Sequence, residues 1–301
     1  KLPRAGLGNQ LFPLMRAAVF AHLNNLPLHV INYHQIKIGP WLRNDRSKRN
    51  YSGFFTFQKN VFEAIIDRLR LQLIKKERQI EEPEVTRMEC DNNLTSYLFF
   101  KMPHYTGYFT GLDHHRSLVK RLLNEMTRSI IHLEVNALRP PVVGVHIRMG
   151  DFIKAVDDTQ LGKRGNLRTP LHYFIKVIQA IRKLNGSLLP VTVFSDGSEK
   201  ELTDLLRLPN VKLSAGKNDL IDMLHLSRSQ LIITSASSTF SYWASFLSDA
   251  IVIMHPTYTG IKIRPENTWN NLYEGAFDEK NEQIIKAIHE MGFNDSNGNL
   301  A

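Results

Sequence analysis

From residue 142 onward the chain alternates short apolar segments with helical stretches, and that alternation leaves few folds open to it. The apolar segments are 142–148, 191–195, 211–214, 231–234 and 250–254, with helical spacing between them at about 170–184, 198–207, 219–228 and 239–248. Nearly unbroken apolar runs read as strands covered on both faces, and strands that alternate with helices pair in parallel. The expectation is an α/β fold whose C-terminal part is a doubly wound parallel sheet. A length of 301 residues favours two domains. The rigid pair Pro140-Pro141 divides them into 1–139 and 140–301.

The N-terminal half is less regular. Ala5-Gly-Leu-Gly-Asn-Gln10 reads as a glycine-bearing loop, followed by a helix with Leu11, Leu14, Met15, Ala18 and His22 on one face. A strand is expected over 26–31, a helix over 60–76, an aromatic-rich strand region over 97–108 and a helix over 112–133.

In a parallel sheet ligands bind beyond the carboxyl ends of the strands. The first C-terminal strand ends in His146-Ile-Arg148, with both polar side chains on one face, two residues apart. Arg148 is either a surface ion-pair partner or a fork of donors for a diphosphate. A second junction, Thr234-Ser-Ala-Ser-Ser-Thr-Phe240, runs from a strand into an aromatic helix. Hydroxyl residues there are either ordinary caps or, with the helix dipole behind them, an anion site formed by Ser237, Ser238 and Thr239. Asp196 closes a third strand and either caps the helix after it or accepts from nucleotide hydroxyls. Asp222 is either a solvated helix-start charge or a carboxylate for paired N–H groups such as those of guanine.

A formal charge of +9 calls for an anionic partner. Neither basic cluster, 43–49 or 68–78, carries the aromatic interleaving or recognition helix of a nucleic-acid module, so a nucleic acid is not expected; solvated faces account for most of the charge and a phosphate site for part of the remainder. Part of the charge also suits peripheral membrane association. No apolar run approaches the roughly 18–20 residues of a membrane span, and a lone cysteine, Cys90, forms no intrachain disulfide. Asp157-Asp158 and His114-His115 lack ligand spacing, so no metal site is expected. The glycine-bearing loop 154–168 reads as a flap over the site.

With these residues in place, the chain resembles the fucosyltransferases, and within them the family 11 group that includes α-1,2-fucosyltransferases. Gly6-Leu-Gly-Asn-Gln-Leu-Phe12 is similar to that family's N-terminal G-x-G-N-Q loop, and His146-Ile-Arg-Met-Gly-Asp-Phe152 to its H-x-R-R-G-D-[YF] motif. The stretch from Asp222 to Trp243 is similar to D-x-x-x-M-S…I-I-x-N-S-S-F-S-W-W. Met149 stands where many members have a second arginine, Ser237 where asparagine is usual, and Tyr242 where the first tryptophan falls.

The resemblance implies a GT-B-like pair of Rossmann-like domains facing each other across a cleft, the N-terminal one toward the acceptor and the C-terminal one holding GDP-fucose. The last helix is expected to pack back on the N-terminal domain. Inverting, metal-independent transfer of L-fucose to the 2-hydroxyl of a galactose-containing glycan is implied, with GDP-fucose as donor substrate and no cofactor. Protein O-fucosylation, transfer of another GDP-sugar, or a silent glycan-binding protein are the alternatives. Arg148 would bind the diphosphate; Ser238, Thr239 and Phe240 would grip phosphates beside Ser237. Asp222 would read guanine, and Gly8 and Asn9 would approach the donor from the other domain. His146 and Asp151 complete the catalytic set, Asp151 as the base nearest in sequence, and Asp196 joins the donor-binding residues. Such an enzyme would be cytoplasmic or peripheral at the inner face of a bacterial membrane, with the Golgi lumen as the alternative should an anchor precede Lys1.

Overall fold

The computed structural model describes residues 5–30, 107–154, 166–265 and 272–291, with smaller pieces at 42, 51, 53–57, 65–66, 69, 77–80, 96–99 and 161. Its centre is a parallel sheet of six strands: β3 (Val143–Ile147), β6 (Val191–Ser195), β7 (Val211–Leu213), β8 (Leu231–Ile233), β9 (Ile251–Met254) and β10 (Glu274–Ala276). Two further parallel pairs, β1 (Glu77–Ile80) with β2 (Ser96–Phe99) and β4 (Ile153–Lys154) with β5 (Leu167–Arg168), stand apart from it. The helices are α1 (Leu7–Leu23), α2 (Arg116–Met126), α3 (Ser129–Ala137), α4 (Leu171–Asn185), α5 (Thr203–Leu206), α6 (Asp219–Leu226), α7 (Thr239–Leu247) and α8 (Glu282–Glu290).

Strand order in the large sheet is β10-β9-β8-β3-β6-β7. The chain winds outward from β3 through β6 to β7, then returns across the sheet by α6 to β8 on the other side of β3. Register is continuous across that reversal, with Val143 opposite both Val191 and Leu231. A crevice opens where winding reverses, beyond the carboxyl ends of β3 and β8.

The four central strands, β3, β6, β8 and β9, alternate between two apolar cores, as a period of two requires. Val143, Val145 and Ile147 of β3 join Val191, Val193, Leu231, Ile233, Ile251 and Ile253 against α4, α5 and α8. Phe194, Ile232, Val252 and Met254 face the opposite core with α1, α2, α3, α6 and α7. Gly144 lies on that second face, where a Cβ would meet Leu226 Cδ1 at 2.6 Å, so only glycine lets α6 approach so closely. The expected α/β class and doubly wound parallel sheet are found.

The N-terminal half joins the same core. Phe12 of α1 lies 5.0 Å from Trp243 of α7, and Phe109 stacks on Phe246 at 4.6 Å. Arg16, fully buried, donates to the carbonyls of Gly107 and Tyr108 at 2.8 Å and of Thr110 at 3.1 Å. Helix α3 is docked on α6: His225 bonds the Arg139 carbonyl at 2.9 Å, and Arg228 donates to the carbonyl of Val135. The proposed division at 139/140 therefore falls in a segment docked on α6. At the other end, α8 packs on α4, and Asn185 donates to the carbonyls of Ile288 (2.7 Å) and Met291 (3.1 Å).

Several sequence expectations are corrected. Gly8 and Asn9 lie in the first turn of α1, not in a loop before it. Residues 26–30 form no strand, and Asn25, with φ of 54°, turns the chain just before them. The helix expected over 112–133 is cut at Thr127-Arg128, because the chain there pairs with 54–56: Arg128 N–H donates to Phe54 O at 3.0 Å and Thr56 N–H to Met126 O at 2.7 Å. The helix of 198–207 shrinks to 203–206 behind a reciprocal turn in which Ser198 N–H donates to the Glu201 carboxylate at 3.0 Å. Strand β10, which has no apolar signature, and the short pair β4–β5 at the ends of the expected flap are not among the expected strands. Of the helix over 60–76 and the strand region over 97–108, the greater part lies outside the described residues, as do Asp157-Asp158 and most of the flap.

Candidate active site

Every candidate residue named from the sequence lines one cleft of about 540 Å³ at the reversal point: Gly8, Asn9, His146, Arg148, Asp151, Asp196, Asp222, Ser237, Ser238, Thr239 and Phe240. They come from three strand ends and the starts of α1, α6 and α7.

Arg148 follows β3, and its guanidinium is divided between two carboxylates. One arm bonds Asp196, the other Asp151, and the plane lies 5.2 Å over the Phe152 ring. Its backbone N–H donates to Ser235 Oγ at 2.9 Å, and that hydroxyl donates to His146 O at 2.8 Å. The buried Ser235 thus ties the end of β3 to the loop after β8. Asp196 has its second oxygen on Met149 N–H at 2.8 Å. Both oxygens of Asp196 therefore brace the arginine segment, and Ser198 Oγ accepts from Glu201 N–H at 3.4 Å in the following turn. Ser235 was missed because a serine in a small-residue tract has no signature until its two partners are known.

Opposite Arg148 stand helix starts. Ser238 is the N-cap of α7 and makes no side-chain capping bond, so the first-turn amides of Thr239, Phe240 and Ser241 have no acceptor within the helix. The start of α1 meets the same place. A Cβ on Gly8 would come within 2.7 Å of the Thr239 carbonyl carbon and 2.8 Å of Phe240 N, so glycine is required for the two termini to touch. Tyr51 secures α1 by accepting from Leu7 N–H at 2.8 Å. Gly8→Ala is expected to force these helix starts apart at a cost of about 1–3 kcal/mol. Thermal denaturation and nucleotide titration of the variant should both register the loss.

A third start, that of α6, is closed by Asn218, which accepts from Leu220 N–H at 3.1 Å and Ile221 N–H at 3.0 Å. Asp222 in its first turn accepts from the Ser214 hydroxyl and lies against Gly216, where any Cβ would overlap the carboxylate. Positive dipole ends and one guanidinium converging on a concave site form a receptor for a multiply charged anion. Lys217 adds a further cation at the rim and pairs with Glu134 at 3.4 Å.

His146 is buried, stacked on Phe240 at 4.7 Å, and its Nδ1 has no hydrogen-bond partner among the described residues. Burial, and next the Arg148 charge, push its pKa down to about 3. It is therefore neutral at physiological pH and too weak a base to take a proton from a hydroxyl there. The same shift makes folding pH-dependent. Below about pH 6.5 the unfolded chain binds a proton that the folded chain refuses until near pH 3, so stability falls as pH falls through that window. The slope from this residue approaches about 1.4 kcal/mol per pH unit. His146→Gln should show a shallower decline between pH 7 and 4.5 in urea titrations; an unchanged slope would exclude this cause.

The family model described as "Glycosyl transferase family 11" matches residues 72–270, about two thirds of the chain. Similar solved structures include NodZ α-1,6-fucosyltransferase soaked with GDP-fucose, an enzyme from Bradyrhizobium, at 18% identity over 84% of this chain and 92% of that one, TM-score 0.45. A mutant of Arabidopsis thaliana FUT1 in complex with GDP matches at 12% identity over 89% of this chain and 70% of that one, TM-score 0.45. POFUT1 in complex with GDP-fucose matches at 13% over 82% and 92%, TM-score 0.44. No curated protein matches in sequence. On its match over residues 72–270, the chain belongs to glycosyl transferase family 11.

Proposed function

We propose that the protein is an inverting, metal-independent fucosyltransferase that moves L-fucose from GDP-β-L-fucose to the 2-hydroxyl of a galactose-containing glycan. The observation that carries this reading is the guanidinium of Arg148, held by Asp196 and Asp151 opposite the open starts of α1 and α7. Family membership supports the reaction class, and the anion receptor supports a diphosphate donor.

In the proposed reaction the acceptor oxygen bonds to the sugar's anomeric carbon as the bond to the β-phosphate oxygen breaks, and GDP leaves with the electron pair. Charge grows on the phosphate, where Arg148 and the helix amides offset it with groups already in place. Asp222, beside the turn at Gly216, is assigned to the guanine end. Asp151 is assigned the acceptor proton: a diphosphate that takes over its arm of Arg148 frees this carboxylate next to the leaving group. His146 serves as a neutral wall of the donor pocket.

Release of GDP from GDP-fucose is measured with and without β-galactosides, and the product linkage is read by NMR. Release that depends on a β-galactoside and yields a 2-linked fucose upholds the reading; transfer to peptide hydroxyls or from another GDP-sugar overturns it. Thermal stabilisation by GDP tests the donor separately, since a ligand at a hundred times its Kd adds about 2.7 kcal/mol.

A further inference from the structure

Ser237 and Tyr242, five residues apart at the start of α7, touch each other. Ser237 N–H donates to the hydroxyl of Tyr242 at 2.9 Å, and the Tyr242 side chain is fully buried. Ser237 has φ of 58°, in the left-handed region that serine disfavours and asparagine tolerates better. This turn sets the direction in which the chain enters α7, and Ser238, Thr239 and Phe240 of that entry line the cleft. The tyrosine ring is held from behind. It lies 6.1 Å from Tyr108, a second cleft residue whose carbonyl is bound by the buried Arg16 at 2.8 Å.

We propose that Tyr242 is a positioning residue for the donor site. Its hydroxyl keeps the Ser237 backbone in the left-handed turn and so aims the first amides of α7 and the Ser238 hydroxyl toward Arg148. The tyrosine supplies, by accepting the Ser237 amide, a restraint that an asparagine at position 237 would supply by conformational preference. The inference rests on the cleft being the nucleotide donor site. Tyr242 is walled off from the cleft's reacting groups by its burial and acts only through the loop.

Tyr242→Phe removes one oxygen and keeps the ring. It is expected to weaken GDP binding about three- to tenfold, the worth of one buried hydrogen bond. The same factor should appear in the KM for GDP-fucose, with a smaller change in kcat. Hydrogen exchange at the Ser237 amide should accelerate in the ligand-free protein. In a Ser237→Asn background the same change should cost less than twofold, because the turn no longer depends on the hydroxyl. Equal losses in both backgrounds, or unchanged exchange and affinity in Tyr242→Phe, overturn the proposal. If Tyr242→Phe does not fold, Tyr242→Trp alone is compared with Tyr242→Trp plus Ser237→Asn. At least threefold tighter GDP binding by the pair upholds the proposal, and no gain sinks it. A wild-type protein that binds no guanine nucleotide refutes the donor reading, while the exchange comparison still decides whether Tyr242 locks the turn.

Discussion

Arg148→Ala is expected to lower fucose transfer by about a hundredfold to a thousandfold or more. The physical basis is the leaving group. Departing GDP gains negative charge, and removing one preorganised donor from such a site typically costs about 3–4 kcal/mol of transition-state stabilisation. Arg148 supplies a full charge and a planar fork whose two arms already lie on Asp196 and Asp151. Arg148→Lys should recover little, because an ammonium cannot reproduce the fork that spans two oxygens. Circular dichroism should report a folded protein in both variants, since the guanidinium lines the cleft and lies outside both apolar cores. Near-normal turnover by a folded Arg148→Ala would remove the residue from the mechanism and with it the proposed chemistry.

The second large effect falls on stability, away from the cleft. Arg264 and Glu274 form an ion pair at 2.9 Å with side chains 0% and 2% exposed. Its remaining groups are engaged. Arg264 donates to Ala250 O at 2.8 Å and Tyr273 O at 3.0 Å, and Glu274 accepts from Ile263 N–H at 2.8 Å. The pair joins edge strand β10 to the segment beside β9. Burial lowers the pKa of Arg264 and raises that of Glu274, each opposed by its partner's charge. Glu274→Gln keeps the shape but leaves the guanidinium buried without its counter-ion, a change that costs about 3–5 kcal/mol. The expected result is a lowered urea midpoint with GDP affinity retained in the folded fraction. Arg264→Met combined with Glu274→Leu should regain most of the loss, because two apolar side chains leave no unpaired charge. A single variant as stable as the native protein would show that the ion pair contributes nothing to holding β10.

The C-terminal half was largely legible. Five of the six strands of its large sheet and three of the four helices between β3 and β9 fall within a few residues of their expected positions, because apolar periodicity is a local property that burial on both faces enforces. The missed strand of that sheet, β10, is held by the Arg264–Glu274 pair across ten residues, and no periodic pattern announces it. Thr127 ends α2 for a similar reason: pairing with residues 54–56 outweighs helical propensity.

The candidate site divides along the same line. The residues themselves were readable: a strand ending in His146 and Arg148, hydroxyls at a helix start, glycine near the N-terminus. Their roles toward one another were not. That Asp196 braces Arg148, that Ser235 ties two strand ends, and that the hydroxyl of Tyr242 holds Ser237 depend on contacts between groups brought together only when the sheet closes at its reversal point. Chemistry and local conformation are written residue by residue, so the sequence alone determined which groups could meet an anion and on which elements they ride. Only the tertiary structure decided that the starts of α1 and α7 meet at Gly8, because the close approach of two helices is a property of their packing.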